Sequence, residues 1–201
     1  MATEAIAFRP ARIDDAAILA ELVNHAGEGL PLYLWGGMAG PGETAWEVGR
    51  RRAARDEGAF SWRNATMIAL AGEAAGCLIG YDIPERPEPV AADLPAMFVP
   101  LQELENLAPG SWYVNVLAVL PAFRGRGLGT RLLALADDTA LRRGRRGLSL
   151  IVSDANAGAR RLYERRGYRA VATRPMVKEG WVNEGQNWVL MTKPGRAAPS
   201  P

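Results

Sequence analysis

The chain has 201 residues, 48% of them hydrophobic and 23% charged, with 22 glycines, 14 prolines and a formal net charge of +2. This composition excludes a wholly disordered chain and fits one ordered α/β domain rich in turns. Cys77 is the only cysteine, which excludes an intrachain disulfide and a cysteine-rich metal site, so no metal is expected. Without a basic-flanked apolar leader or a run of about 18 apolar residues, the expectation is a cytoplasmic protein with no membrane partner.

Charge is unevenly distributed. Residues 124–169 hold twelve arginines against Asp137, Asp138, Asp154 and Glu164, whereas residues 82–106 hold six acids and only Arg86. Such an arrangement suits an enzyme that joins an anionic donor to a cationic acceptor; two solvated surfaces would give the same pattern.

In chain order, residues 6–10 form a short strand. The Asp14-Asp15 pair is placed to cap a helix to about Ala26 with the apolar stripe Ile18, Leu19, Leu22 and Val23. Residues 27–42 mix Gly and Pro with Leu30, Leu32, Tyr33, Leu34, Trp35 and Met38, which predicts a pocket-wrapping loop. A second helix follows over about 43–58, then strands at 65–71 and 75–82 around a Gly72-Glu73 turn. Six prolines between 84 and 110 predict an insert with a short helical piece near 101–106, a candidate substrate cover. Strand 112–119 ends at Pro121, and a helix runs over 127–143. A buried strand at 148–152, a helix at 156–166 and strands at 168–171 and 187–192 complete the order. One domain is expected over 1–193, with a flexible tail at 194–201.

Chemistry concentrates in two segments. After strand 112–119 comes Arg124-Gly125-Arg126-Gly127-Leu128-Gly129-Thr130, opening a helix. Glycines clear side chains from a turn, leaving N–H groups that can face phosphate oxygens. The helix N-terminus adds further N–H groups and a positive dipole end, and Arg124 and Arg126 add charge. No Gly-Lys-Ser/Thr ending and no first-strand GxGxxG is present, which disfavours kinase and dinucleotide readings. The other segment starts at Asn156, an amide that can cap a helix. Tyr163 lies seven residues on, roughly 10 Å along the axis and on a shared face.

These segments resemble the GNAT superfamily of N-acetyltransferases, most specifically over 114–168. The resemblance implies a single-domain α/β acyl-CoA N-acyltransferase fold, with a mixed, splayed central sheet flanked by helices. It also implies acetyl-CoA as co-substrate. Arg124, Gly125, Arg126, Gly127 and Gly129, with Thr130 beside them, would hold the pyrophosphate. Leu117 and Val119 would make backbone contacts to pantetheine, Asn156 would bind the cofactor and Tyr163 would protonate the leaving thiolate. Direct transfer to an amine would form an oxyanion that the Val119 N–H can stabilise. A tyrosine with an ordinary pKa of about 10 stays protonated at neutral pH and can serve as the acid.

Many family members carry a glutamate on the fourth strand as base, where this chain has Asn115, an amide that cannot accept the amine's proton. Candidate replacements are Glu103 and Glu105, just before the strand, and Glu28 in the N-terminal loop. His25 suits a surface position better than a relay. Tyr33, Trp35, Trp112, Tyr113 and Trp181 are candidates for an aromatic acceptor pocket. Arginines 142, 143, 145 and 146 suit the C-terminal end of a helix better than nucleic acid, so no nucleic-acid partner is expected. The expected acceptor is a small amine, with polyamines, aminoglycosides and other cationic amines favoured by the acidic insert. Alternatives are a protein N-terminus or lysine side chain, or a CoA-binding sensor without catalysis. A monomer or a homodimer fits the sequence.

Overall fold

A computed structural model describes residues 5–195. Seven strands hydrogen-bond in the order β1-β2-β3-β4-β5-β7-β6. They are β1 (Ile6–Pro10), β2 (Ala65–Leu70), β3 (Glu73–Asp82), β4 (Trp112–Val119), β5 (Gly147–Ser153), β6 (Arg169–Pro175) and β7 (Asn187–Pro194). The sheet is mixed: β4 and β5 run parallel, while the β1-β2, β2-β3, β5-β7 and β6-β7 pairs are antiparallel. Helices α1 (Ala16–Ala26), α2 (Leu30–Met38), α3 (Ala45–Ala53), α4 (Val99–Glu105), α5 (Leu128–Arg142) and α6 (Ala157–Arg165) flank it.

The described residues fall into two compact units, 5–80 with 116–132, and 81–115 with 133–195. In the first, the core is built from Leu19, Leu22 and Val23 of α1, Trp35 of α2, Val48 of α3, Met67 of β2, Cys77 and Ile79 of β3, and Val116 and Ala118 of β4. Burial pushes the Cys77 thiol up to about 12, so it remains a neutral core side chain.

Asp15 does not cap α1, as the Asp14-Asp15 pair suggested. Its carboxylate takes both guanidinium nitrogens of Arg9 at 2.7 Å and the Arg12 N–H at 2.7 Å, fastening β1 to the start of the helical segment. Residues 27–42 are more regular than their Gly and Pro content predicts. Pro31 sits in the first turn of α2, where its missing N–H costs nothing, and the Asn24 side-chain oxygen accepts the Leu32 N–H at 3.0 Å. Leu30 and Trp35 are then buried. Thr44 and Glu47 form a reciprocal capping box that starts α3. The β2-β3 turn falls on Ala71 and Gly72, both at positive φ, with Glu73 already in β3.

In the second unit, α4 packs against β5, β6 and β7. The prolines of the insert confine it to a 3-10 turn at Ala96–Phe98 and the seven residues of α4. Between α5 and β7, the buried Asp137 carboxylate holds the Lys193 ammonium at 2.6 and 2.7 Å. The last strand runs further than expected: β7 includes Pro194, and the Gly195 N–H donates to the Arg146 carbonyl at 2.8 Å. The remainder of the expected tail, 196–201, lies outside the described residues.

Candidate active site

In the first unit, β4 ends at Val119, a 3-10 turn covers Pro121–Phe123, and the Gly/Arg segment delivers the chain to α5. Gly125 and Gly127 both have φ of 76°, in the left-handed region where a side chain is strained. A Cβ at either would meet nothing within 4 Å, so packing does not explain these glycines; the backbone path does. Arg124, Gly125, Arg126, Gly127 and Thr130 are exposed, Gly129 is half-buried, and the buried Leu128 anchors the turn. The Arg124 Nε–H donates to the Val119 carbonyl at 3.1 Å, and the Arg126 guanidinium stands 5.9 Å from the Phe123 ring centre. Open backbone, a fifteen-residue helix beginning at Leu128 and two exposed guanidinium groups give this turn the chemistry of a candidate anion site.

Within β4, Val114, Val116 and Ala118 are buried, Asn115 is exposed, and Leu117 and Val119 are half-buried. Gly76 permits the close approach of β3, since a Cβ there would collide with the Ala118 carbonyl and lie 3.2 Å from Val119 Cα. The Leu120 N–H donates to the Ala75 carbonyl at 2.9 Å just beyond the strand.

In the second unit, the parallel register between β4 and β5 consists of Trp112 with Leu148 and Tyr113 with Ser149. Val114 and Asn115 have no β5 partner in that register, so the two strands part within a few residues of their start. Asn156 caps α6, its side-chain oxygen accepting the Ala159 N–H at 3.1 Å. Tyr163 is buried on the same helix, its ring centre 5.9 Å from that of Tyr168. Asp154 takes no part in the cap. Its carboxylate accepts the Gln186 and Asn187 N–H groups at 2.9 and 3.1 Å and the Asn187 side-chain amide at 2.9 Å, which pins the start of β7 beside α6.

The acids proposed from sequence separate clearly. Glu103 binds the Arg174 Nε at 2.6 Å. Glu28 lies half-buried at φ 52° between α1 and α2. His25 faces Glu21 at 3.7 Å, one turn away on α1. Glu105 is different: both of its oxygens lie 3.2 Å from the Tyr81 hydroxyl, and desolvation raises its pKa to about 7. Tyr81 has no motif around it, and only the fold brings it to a carboxylate 24 residues away.

The expected aromatic pocket largely dissolves into packing. Trp35 is stacked on Phe60 at 5.8 Å, Trp181 is stacked on Trp188 at 5.9 Å, and Trp112 and Tyr113 are buried; only Tyr33 is exposed. The charge asymmetry also contracts. Arg143 and Arg145 pair with Asp82, Arg146 with Glu85, and Arg174 with Glu103, so much of the acidic insert is neutralised by the arginines beyond α5 and on β6.

A glycine-rich turn ahead of a helix, in a mixed sheet whose parallel pair parts early, is the architecture of the acyl-CoA N-acyltransferase fold. The chain belongs to the acetyltransferase (GNAT) family, whose model matches residues 38–168. An uncharacterized N-acetyltransferase of Methanocaldococcus jannaschii is 39% identical over 69 residues, 34% of this chain and 29% of that protein. The chain therefore aligns with under a third of that relative's length. Among solved structures, an N-acetyltransferase from Staphylococcus aureus Mu50 superposes with a TM-score of 0.63 at 19% identity, covering 92% of this chain and 99% of the other. The ribosomal-protein-S18-alanine N-acetyltransferase from Escherichia coli gives 0.56 at 18% identity, covering 98% and 99%. Both show the shared fold. Among the described residues, no helix is long and apolar enough to cross a membrane.

Proposed function

We propose that the protein transfers an acetyl group from acetyl-CoA directly to the primary amine of a small acceptor, with cationic amines the favoured class. The observation that carries this reading is the Gly/Arg turn, whose backbone is held open at Gly125 and Gly127 and flanked by Arg124 and Arg126. Those residues fit a diphosphate: N–H groups and a helix N-terminus receive its oxygens, and the guanidinium groups balance its charge.

Acetyl-CoA supplies an acyl group activated as a thioester. The roles of the chain's own residues follow from family likeness and local chemistry. Backbone groups of Leu117 and Val119 align the pantetheine arm, and the Val119 N–H steadies the oxyanion. Asn156 adds an amide contact, and the Tyr163 hydroxyl delivers a proton to the departing sulfur. Glu88, Asp93 and Glu105 are the acids of the insert that remain outside the ion pairs described above, and they support a cationic acceptor.

The test is thiol release from acetyl-CoA across polyamines, aminoglycosides, amino acids, peptide N-termini and lysine peptides. Turnover confined to small cationic amines is the expected result. Turnover confined to peptides would favour a protein acceptor. CoA binding without any thioester consumption would favour a sensor, and neither binding nor consumption would overturn the reading altogether.

A further inference from the structure

Asn115 leaves the amine's proton without an acceptor on β4, and the second unit contains a group suited to take it. Strand alternation places Tyr113 and Asn115 on one face of β4, Tyr113 buried and Asn115 exposed. Against the Tyr113 ring, at 5.2 Å between centres, lies Tyr81 from the end of β3. The Tyr81 hydroxyl reaches both oxygens of Glu105, the last residue of α4. A carboxylate, a hydroxyl that orients it and an aromatic ring are thus grouped at Tyr113, two residues before Asn115 on the same face of β4.

We propose that Glu105, oriented by Tyr81, is the general base that deprotonates the acceptor amine; this rests on the N-acetyltransferase reading above. The ammonium N–H bond breaks, its proton goes to a Glu105 oxygen, and the electron pair stays on nitrogen. The nitrogen then bonds to the acetyl carbon while the C–S bond breaks with its electrons on sulfur, which takes the Tyr163 proton. The second nitrogen proton restores Tyr163, and Glu105 returns its proton to solvent, so the net products are the amide, free thiol and one proton.

The surroundings of Glu105 support this assignment. Desolvation raises its pKa to about 7, the Tyr81 hydrogen bond acts in the opposite sense, and the nearby Glu88 carboxylate raises it further. Tyr113 faces it from β4 and is itself held neutral by burial. Glu103, two residues earlier on α4, is engaged by Arg174 of β6. A base that titrates close to neutrality is partly ionised at neutral pH and accepts a proton readily.

The experiment is the pH dependence of kcat/KM for acetyl transfer by the intact protein, its Glu105→Gln variant and its Tyr81→Phe variant, with CoA affinity measured in parallel. Wild-type activity should rise through about pH 7 to a plateau. Glu105→Gln should lose about 100-fold at neutral pH and lack that rise, with CoA affinity unchanged and the deficit shrinking where the free amine predominates. Tyr81→Phe should move the rise to higher pH, because the hydrogen bond that favours the carboxylate is gone. A Glu105→Gln profile that matches wild type overturns the assignment and leaves the N-acetyltransferase reading intact. Wild-type protein that binds CoA and acetylates no amine overturns both. If Glu105→Gln fails to fold, Tyr81→Phe decides: an unmoved profile contradicts the proposal and an upward shift supports it.

Discussion

The Arg124 Nε–H is tied to the Val119 carbonyl at 3.1 Å, so the first arginine of the Gly/Arg turn is braced against the end of β4. One guanidinium edge holds the strand-to-helix connection in place, and the other nitrogens of the fork remain to meet an anion. Structural support and charge therefore come from the same side chain.

Replacing Tyr163 by Phe should leave CoA affinity within about twofold and reduce the rate of acetyl transfer by about 100-fold, the range set by loss of a positioned proton donor. Steady-state kinetics with a separate CoA titration measure both. An unchanged rate across the pH range would remove the acid role from this residue.

The Asp137–Lys193 pair is buried, with side-chain exposures of 7% and 16%, and Arg166 adds a longer contact at 3.7 Å. Lys193→Met leaves a carboxylate with poor compensation and should cost about 3 kcal/mol by denaturant unfolding. Asp137→Leu combined with Lys193→Met should recover most of that loss, because the buried charge is gone from both sides.

Stability should respond to pH in two opposite ways. Asp15, Asp82 and Asp154 have lowered pKa values, chiefly through side-chain hydrogen bonds from Arg9, Arg143 and Asn187 respectively. Their contribution is complete above the unfolded carboxyl pKa of about 4 and disappears as pH falls through their folded values. Glu105 has the reverse sign. Its raised pKa favours the folded state at low pH, and that advantage is lost as pH rises through about 7. Relative to wild type, Glu105→Gln should therefore be more stable at pH 8 than at pH 5. Thermal melts at both values check this, and an equal difference at the two would contradict it.

The parts of the fold that were legible in the sequence are those governed by near neighbours. The Gly/Arg turn lies within a few residues of the strand and helix it joins, and Asn156 caps α6 through Ala159, three residues away. Helix α2 reads as a loop from its Gly- and Pro-rich composition because the side chain that accepts its Leu32 N–H, Asn24, sits in the preceding helix. The carboxylate of Asp154 holds Gln186 and Asn187, more than thirty residues away at the start of β7, a pairing that no local pattern announces. Glu103 and Glu105 are two residues apart with the same chemistry. What separates them is whether Arg174 or Tyr81 stands opposite, and no local pattern encodes that difference. Whether the aromatic candidates pack or line a pocket is likewise not encoded locally: the stacking of Trp35 on Phe60 and of Trp181 on Trp188 is decided by tertiary packing.

The most direct measurement for the central claim is calorimetric titration of CoA into the wild-type protein and an Arg124→Gln, Arg126→Gln double variant at low salt. Micromolar-scale binding by wild type is predicted, weakened about tenfold or more for each arginine removed, with the gap narrowing as salt is raised. No CoA binding by the wild-type protein, or the same affinity in the double variant, would contradict the claim that this turn holds the donor's phosphates.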